Sequence, residues 1–138
     1  ALVALAHQHG VQVVPLVGPC SLLLALMASG LSGQNFTFHG YLPSGAAERE
    51  KRLRELERES QVQQGTQVFI ETPYRNQQML ASLLNACAPD TRLCVATDLT
   101  LETEQITTLP VAEWRRQPLP EINRRPTVFL LQAAGQRH

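Results

Sequence analysis

Neither sign of charge dominates this sequence. Its 12 Lys and Arg balance 12 Asp and Glu over 138 residues, so there is no global basic field of the kind that fastens a protein to nucleic acid without regard to sequence. An RNA partner would have to be held by a local patch. Cysteine is scarce: Cys20, Cys87 and Cys94 lie far apart and form no C-x-x-C step, which argues against a disulfide framework or a zinc site and fits a reducing cytoplasm. The most apolar run, Leu22 to Ala28, is much shorter than the roughly 20 residues that cross a bilayer. No basic n-region precedes a cleavage-like site at the start, so neither secretion nor a membrane span is expected. Also missing are G-x-S-x-G, a P-loop and G-x-G-x-x-G, and hydrolase and nucleoside-triphosphatase chemistry lose support with them. His7-x-His9 has too few partners for a metal, and His39, without a carboxylate or cysteine neighbour in sequence, is given no role. No metal site is expected.

What remains is a chain with 43% hydrophobic residues, enough for the core of one ordinary domain. Ala1 to His9 has the spacing of a helix tail, and Gly10 precedes a β-branched strand at Val11, Val13 and Val14. The Gly18-Pro19-Cys20-Ser21 turn opens an apolar helix over Leu22 to Ser29, closed by Gly30 and apolar nearly all round, so it should be buried. Phe36, Phe38, Tyr41 and Leu42 suggest a strand ended by Pro43-Ser44-Gly45. Ala46 to Ser60 reads as a surface helix with a narrow Leu53/Leu56 stripe and i,i+4 pairs Glu48–Arg52 and Glu50–Arg54. Strands follow at Val68 to Ile70, Leu93 to Ala96, Thr103 to Leu109 and Thr127 to Leu131, with a helix at Tyr74 to Ala86. The Pro- and Arg-rich stretch from Trp114 to Pro126 is expected to be an irregular loop over the sheet. The fold class is α/β, a mixed sheet flanked by helices, without a strict βαβ repeat.

Four segments could carry chemistry. Glu71-Thr72-Pro73-Tyr74-Arg75 places a carboxylate and a guanidinium at the C-terminal end of a buried strand, where open α/β sheets bind ligands. Glu71 could accept a hydroxyl proton and Arg75 a phosphate; the plain alternative is that the two pair and cap the helix. The Gly18-Pro19-Cys20-Ser21 turn offers close backbone approach and free N–H donors at a helix start, or is an ordinary strand-to-helix turn. Thr97, Asp98 and Thr100 lie past another strand, as substrate contacts or as loop caps. Trp114 with Arg115, Arg116, Arg124 and Arg125 could stack a base and track an RNA backbone, or be a solvated loop.

Four segments occur in order: Val14-Pro15-Leu16-Val17-Gly18-Pro19-Cys20-Ser21, Ala25-Leu26-Met27-Ala28-Ser29-Gly30-Leu31, Phe38-His39-Gly40-Tyr41-Leu42-Pro43 and Phe69-Ile70-Glu71-Thr72-Pro73-Tyr74-Arg75. Together they resemble the bacterial small-subunit ribosomal RNA ribose 2′-O-methyltransferase branch of the tetrapyrrole (corrin/porphyrin) methylase superfamily. The resemblance spans most of the chain and is weakest after Leu109. It implies the C-terminal domain of a two-domain class III methyltransferase, with S-adenosylmethionine held in the cleft between domains and a homodimer as the assembly. Residues 1–19 would be the tail of the cofactor domain and the interdomain connection, and residues 20–138 the C-terminal domain. Carried over by position, Gly18, Pro19, Cys20, Ser21, Ile70, Ala96, Thr97 and Val128 would border the cofactor, and Glu71 and Arg75 would orient the substrate. Three departures are visible: Val17 stands where proline is common before the Gly-Pro step, Thr72-Pro73-Tyr74 follows Glu71 where relatives vary, and the family's glycine-rich loop falls before Ala1, so this chain alone is expected to be inactive. The ribosomal RNA branch is preferred over a corrin or porphyrin methyltransferase, and a non-catalytic dimerisation or RNA-binding module is the competing class.

Overall fold

The computed structural model describes residues 19–135. The helix and strand expected before Pro15, and Gly18, lie outside them. Along the chain come α1 (Pro19–Ser29), β1 (Phe36–Tyr41), α2 (Ala46–Gln63), β2 (Thr66–Ile70), a 3-10 turn (Pro73–Arg75), α3 (Asn76–Ala86), β3 (Arg92–Thr97), β4 (Gln105–Pro110), α4 (Val111–Arg116) and β5 (Thr127–Gln132). The α/β class and mixed sheet are as expected.

The strands are ordered β1-β2-β5-β3-β4. β1 and β2 are parallel, β5 is antiparallel to both β2 and β3, and β4 folds back antiparallel along β3. β1, β2 and β3 therefore finish at one edge of the sheet, where β5 and β4 begin. That edge is the one at which the candidate residues cluster.

Period-two alternation divides the strands between two cores. Phe69, Val95, Phe129 and Leu131 face α2, α3 and α4 and pack on Leu53, Leu56, Leu80, Leu83 and Trp114. The Phe69 and Phe129 rings stack in register at 5.8 Å between centroids, and each fully buried side chain of this size is worth about 1.5–3 kcal/mol. Val68, Ile70, Cys94, Ala96, Val128 and Leu130 face the other way, under Ala25 and Leu26 of α1.

Three expectations need correction. First, α1 is buried on one side only: Leu23 and Leu24 are exposed and Met27 is 81% exposed, because among the described residues only its inner face meets the sheet. Its seating is marked by Ser29, whose Oγ donates to Leu26 O at 2.8 Å and accepts from Leu31 N at 3.1 Å, while its carbonyl accepts from Thr108 Oγ1 at 2.7 Å. Second, Glu50–Arg54 forms at 3.7 Å, but Arg52 pairs with Glu55 and Glu59 rather than Glu48. Glu48 stays beside Gly45 in the first turn, where free N–H groups favour a carboxylate. Third, the expected loop does not begin at Trp114: Trp114 to Arg116 complete α4. Val111 and Trp114, three residues apart, are buried; Trp114 Nε1 donates to Leu93 O at 2.9 Å.

Cys87 and Cys94 are buried free thiols. Burial pushes Cys87 up to about 12, helped by the Glu57 carboxylate, and burial also raises Cys94. Since the thiolate is the reactive form, a Cys20→Ser variant is expected to be inert to a thiol-titrating disulfide reagent in mildly alkaline buffer and to react at two thiols once guanidinium unfolds it. Prompt reaction of the folded variant would contradict this burial.

Candidate active site at the strand-end edge

Glu71 follows the last residue of β2, and Pro73 turns the chain into the 3-10 turn before α3. The carboxylate is buried. Its Oε1 accepts from Thr72 N at 2.7 Å and Thr72 Oγ1 at 3.0 Å, while Oε2 is buried and has no hydrogen-bond partner among the described residues. A buried oxygen without a donor costs on the order of 1–3 kcal/mol, more when charged. Tyr41 is paired with Ile70 across β1 and β2, and its phenol is raised by burial first and then by the Glu71 charge. Arg75 does not pair with Glu71. Its N–H closes the tight turn on Thr72 O at 2.8 Å, and its guanidinium lies 5.3 Å over the ring of Tyr74, itself 60% exposed.

Ile70 and Ala96 both stand opposite Val128, so these three form one row across β2, β5 and β3. Their side chains belong to the core under α1, which leaves their backbone at the edge. Strand spacing places the ends of β2 and β3 about 10 Å apart. Thr97 and Thr127 are opposite each other on the other face, with their hydroxyls 3.4 Å apart. Pro19, Cys20 and Ser21 fall in the first turn of α1.

The edge is closed by contacts that the sequence reading missed. Asn76 is fully buried; its Nδ2 donates to Ile122 O at 3.1 Å, Arg125 O at 2.7 Å and Thr127 Oγ1 at 3.2 Å. Gln77 holds the same segment through Pro120 O, Ile122 N and Asn123 Oδ1. Asp98 accepts from Arg125 Nε and Thr103 Oγ1, both at 2.8 Å, so it serves the loop, and Thr100 N is capped by Glu104. Asp98, Thr100 and Arg124 all have positive φ, a conformation that side chains rarely adopt except where the surroundings impose it. An Asn at the start of a helix was the only sequence signal for the clamp.

The expected basic loop is mostly committed elsewhere. Trp114 is core; Arg115 caps α3 through Leu84 O and Cys87 O; Arg116 pairs with Glu113 at 2.9 Å and Arg125 with Asp98 at 2.8 Å. Of that cluster Arg124 is exposed and makes no side-chain hydrogen bond among the described residues. His39 meets Gln67 at 2.5 Å and is lowered chiefly by burial.

Proteins described as ribosomal RNA small subunit methyltransferase I match the chain. The Vibrio cholerae sequence is 35% identical over 136 residues, 99% of this chain and 46% of that protein. Nearly the whole chain is thus similar to one part of these methyltransferases. The Pseudomonas aeruginosa protein of the same description is 38% identical over 112 residues, covering 81% of this chain and 38% of its own length. The chain thus spans about half the length, or less, of the curated relatives it matches. The crystal structure of the methyltransferase CobJ shares the fold, with a TM-score of 0.55 at 23% identity over 84% of this chain and 48% of that one. No protein-family model matches. No helix among the described residues is long and apolar enough to cross a membrane.

Two outcomes test this geometry. In a Tyr74→Phe background, which leaves Tyr41 as the only tyrosine, Glu71→Gln is expected to lower the Tyr41 pKa in an ultraviolet titration, with the part due to burial remaining; an unchanged value would separate the two groups. Asn76→Ala, which strips the donor from buried acceptors, is expected to cost about 2 kcal/mol in urea denaturation.

Proposed function

We propose that the chain is the C-terminal half of a two-domain S-adenosylmethionine-dependent methyltransferase that acts on a ribose 2′-hydroxyl of ribosomal RNA. Residues 1–19 form the end of the cofactor domain and the connection, and residues 20–138 the C-terminal domain. The observation that carries this reading is the buried Glu71 carboxylate, with one oxygen occupied by Thr72 and the other without a partner among the described residues, at the strand-end edge of the sheet.

The cofactor, when bound, supplies an electrophilic methyl group. The residues present fit it: the row of strand ends at Ile70, Ala96 and Val128 offers backbone groups over an apolar floor. Gly18 to Ser21, Ile70, Ala96, Thr97 and Val128 would hold it. The protein's own task is then alignment and the removal of one proton. Glu71 accepts the hydrogen bond of the ribose hydroxyl at Oε2 and takes its proton as the oxygen becomes nucleophilic; the Thr72 N–H and hydroxyl keep the carboxylate aimed. Arg75, held along the Tyr74 ring, meets the RNA phosphate beside that ribose. A homodimer in the cytoplasm goes with this reading.

The test joins this chain to the amino-terminal half of the Vibrio cholerae relative. The joined protein is expected to bind S-adenosylhomocysteine and to methylate small-subunit ribosomal RNA, whereas the chain alone does neither. Glu71→Gln should lower kcat by about 10²-fold with cofactor affinity unchanged, and Arg75→Ala should raise KM for RNA. Full activity of the Glu71→Gln protein would remove Glu71 as the base, and a joined protein that folds but binds no cofactor would favour an interaction module.

A further inference from the structure

On the face of the sheet opposite α1, the apolar core gives out at β4. Leu109 still packs into it, but Gln105 and Thr107, on the same side of the strand, are exposed. The segment after α4 runs beside them and leaves a cleft of about 130 Å³. Val95 and Trp114 form its base, Pro118 and Pro120 its lip, and Thr97, Gln105, Thr107 and Gln117 its polar walls. No charged residue lines it. Beyond the long 3.4 Å contact from Thr97 to Thr127, these four polar side chains make no hydrogen bond among the described residues. The indole is fixed from behind by its bond to Leu93 O, so it is a rigid wall.

Those properties define an occupant. The volume is far below the roughly 300–1,000 Å³ of sites for whole ligands, so it takes one ring system and not a complete cofactor. Uncharged walls exclude a phosphate. Two amides and two hydroxyls, each able to donate and accept, suit a flat heterocycle whose edge alternates donors and acceptors. We propose that this cleft receives one base of single-stranded RNA, splayed out of its stack as sequence-reading RNA sites require. Thr97 places the cleft at the end of β3, about 10 Å across β5 from the end of β2 and Glu71, within reach of neighbouring nucleotides on one strand. The inference rests on the RNA reading of the preceding section, and adds where a base is held beside the reacting ribose.

Trp114 is the only tryptophan in the chain and reports directly on occupancy. The full chain is titrated with a short single-stranded RNA, with an abasic ribose-phosphate oligomer of equal length, and with S-adenosylhomocysteine, following Trp114 fluorescence. The RNA is expected to quench it and the abasic oligomer to leave it unchanged. The double variant Gln105→Ala/Gln117→Ala, altered at two exposed positions, should bind the RNA about tenfold more weakly with an unchanged circular dichroism spectrum. Equal quenching by the abasic oligomer, no response to RNA, or a response to S-adenosylhomocysteine alone would each overturn the proposal, the last by giving the cleft to the cofactor's base. Methyl transfer by the joined protein is measured in parallel. Transfer with a silent Trp114 removes the base cleft alone, and a Trp114 response to RNA without transfer keeps the cleft and removes the enzyme.

Discussion

The placement of β5 between β2 and β3 is the constraint on which this domain depends. β5 is the last strand in sequence among the described residues and the central one in space, bonded along both edges to strands that run the other way. It supplies Phe129 and Leu131 to one core and Val128 and Leu130 to the other, so it is buried on both faces. To enter the sheet in that direction the chain must first cross the edge where β1, β2 and β3 end. The segment after α4 therefore has to run past Glu71 and Thr97, and the Asn76 and Gln77 amides fasten it there.

Much of this was legible in the sequence. Runs such as Val68 to Ile70 and Val128 to Leu131 are apolar on successive residues because both faces of those strands are covered, and the Leu53/Leu56 stripe marked the buried line of α2. The turn from Glu71 to Arg75 was legible as the end of a strand because proline halts it. α4 was not. It spans only Val111–Arg116, too short for a periodic signal, and its arginines looked like a solvated patch. Arg115 acts instead on the α3 carbonyls and Arg116 on Glu113 within its own helix, while Arg125, beyond the helix, pairs with Asp98. The strand order was equally hidden, since nothing local to Thr127–Gln132 shows that it pairs with β2 and β3 in antiparallel register.

The site follows from the same geometry. Because β2 and β3 are held apart by one strand, their two ends offer separate footholds on one edge: a carboxylate with a free lone pair on one side, and on the other a neutral cleft walled by amides and hydroxyls. Residues locked in left-handed backbone, Asp98, Thr100 and Arg124, flank both. Such conformations persist only where neighbours over-determine them, and here the Asp98–Arg125 pair and the Asn76 amide do so.

A helix that is apolar on every side carries a different implication. If α1 were turned about its axis by one residue's rotation, it would show the sheet nearly the same leucine-rich surface, so burial by itself barely chooses among its orientations. The choice falls to directional contacts: the Ser29 carbonyl reached by Thr108 and the Ser29 hydroxyl turned back into its own chain. Hydrophobic energy holds α1 against the sheet, and one serine at its end tells it which way to face.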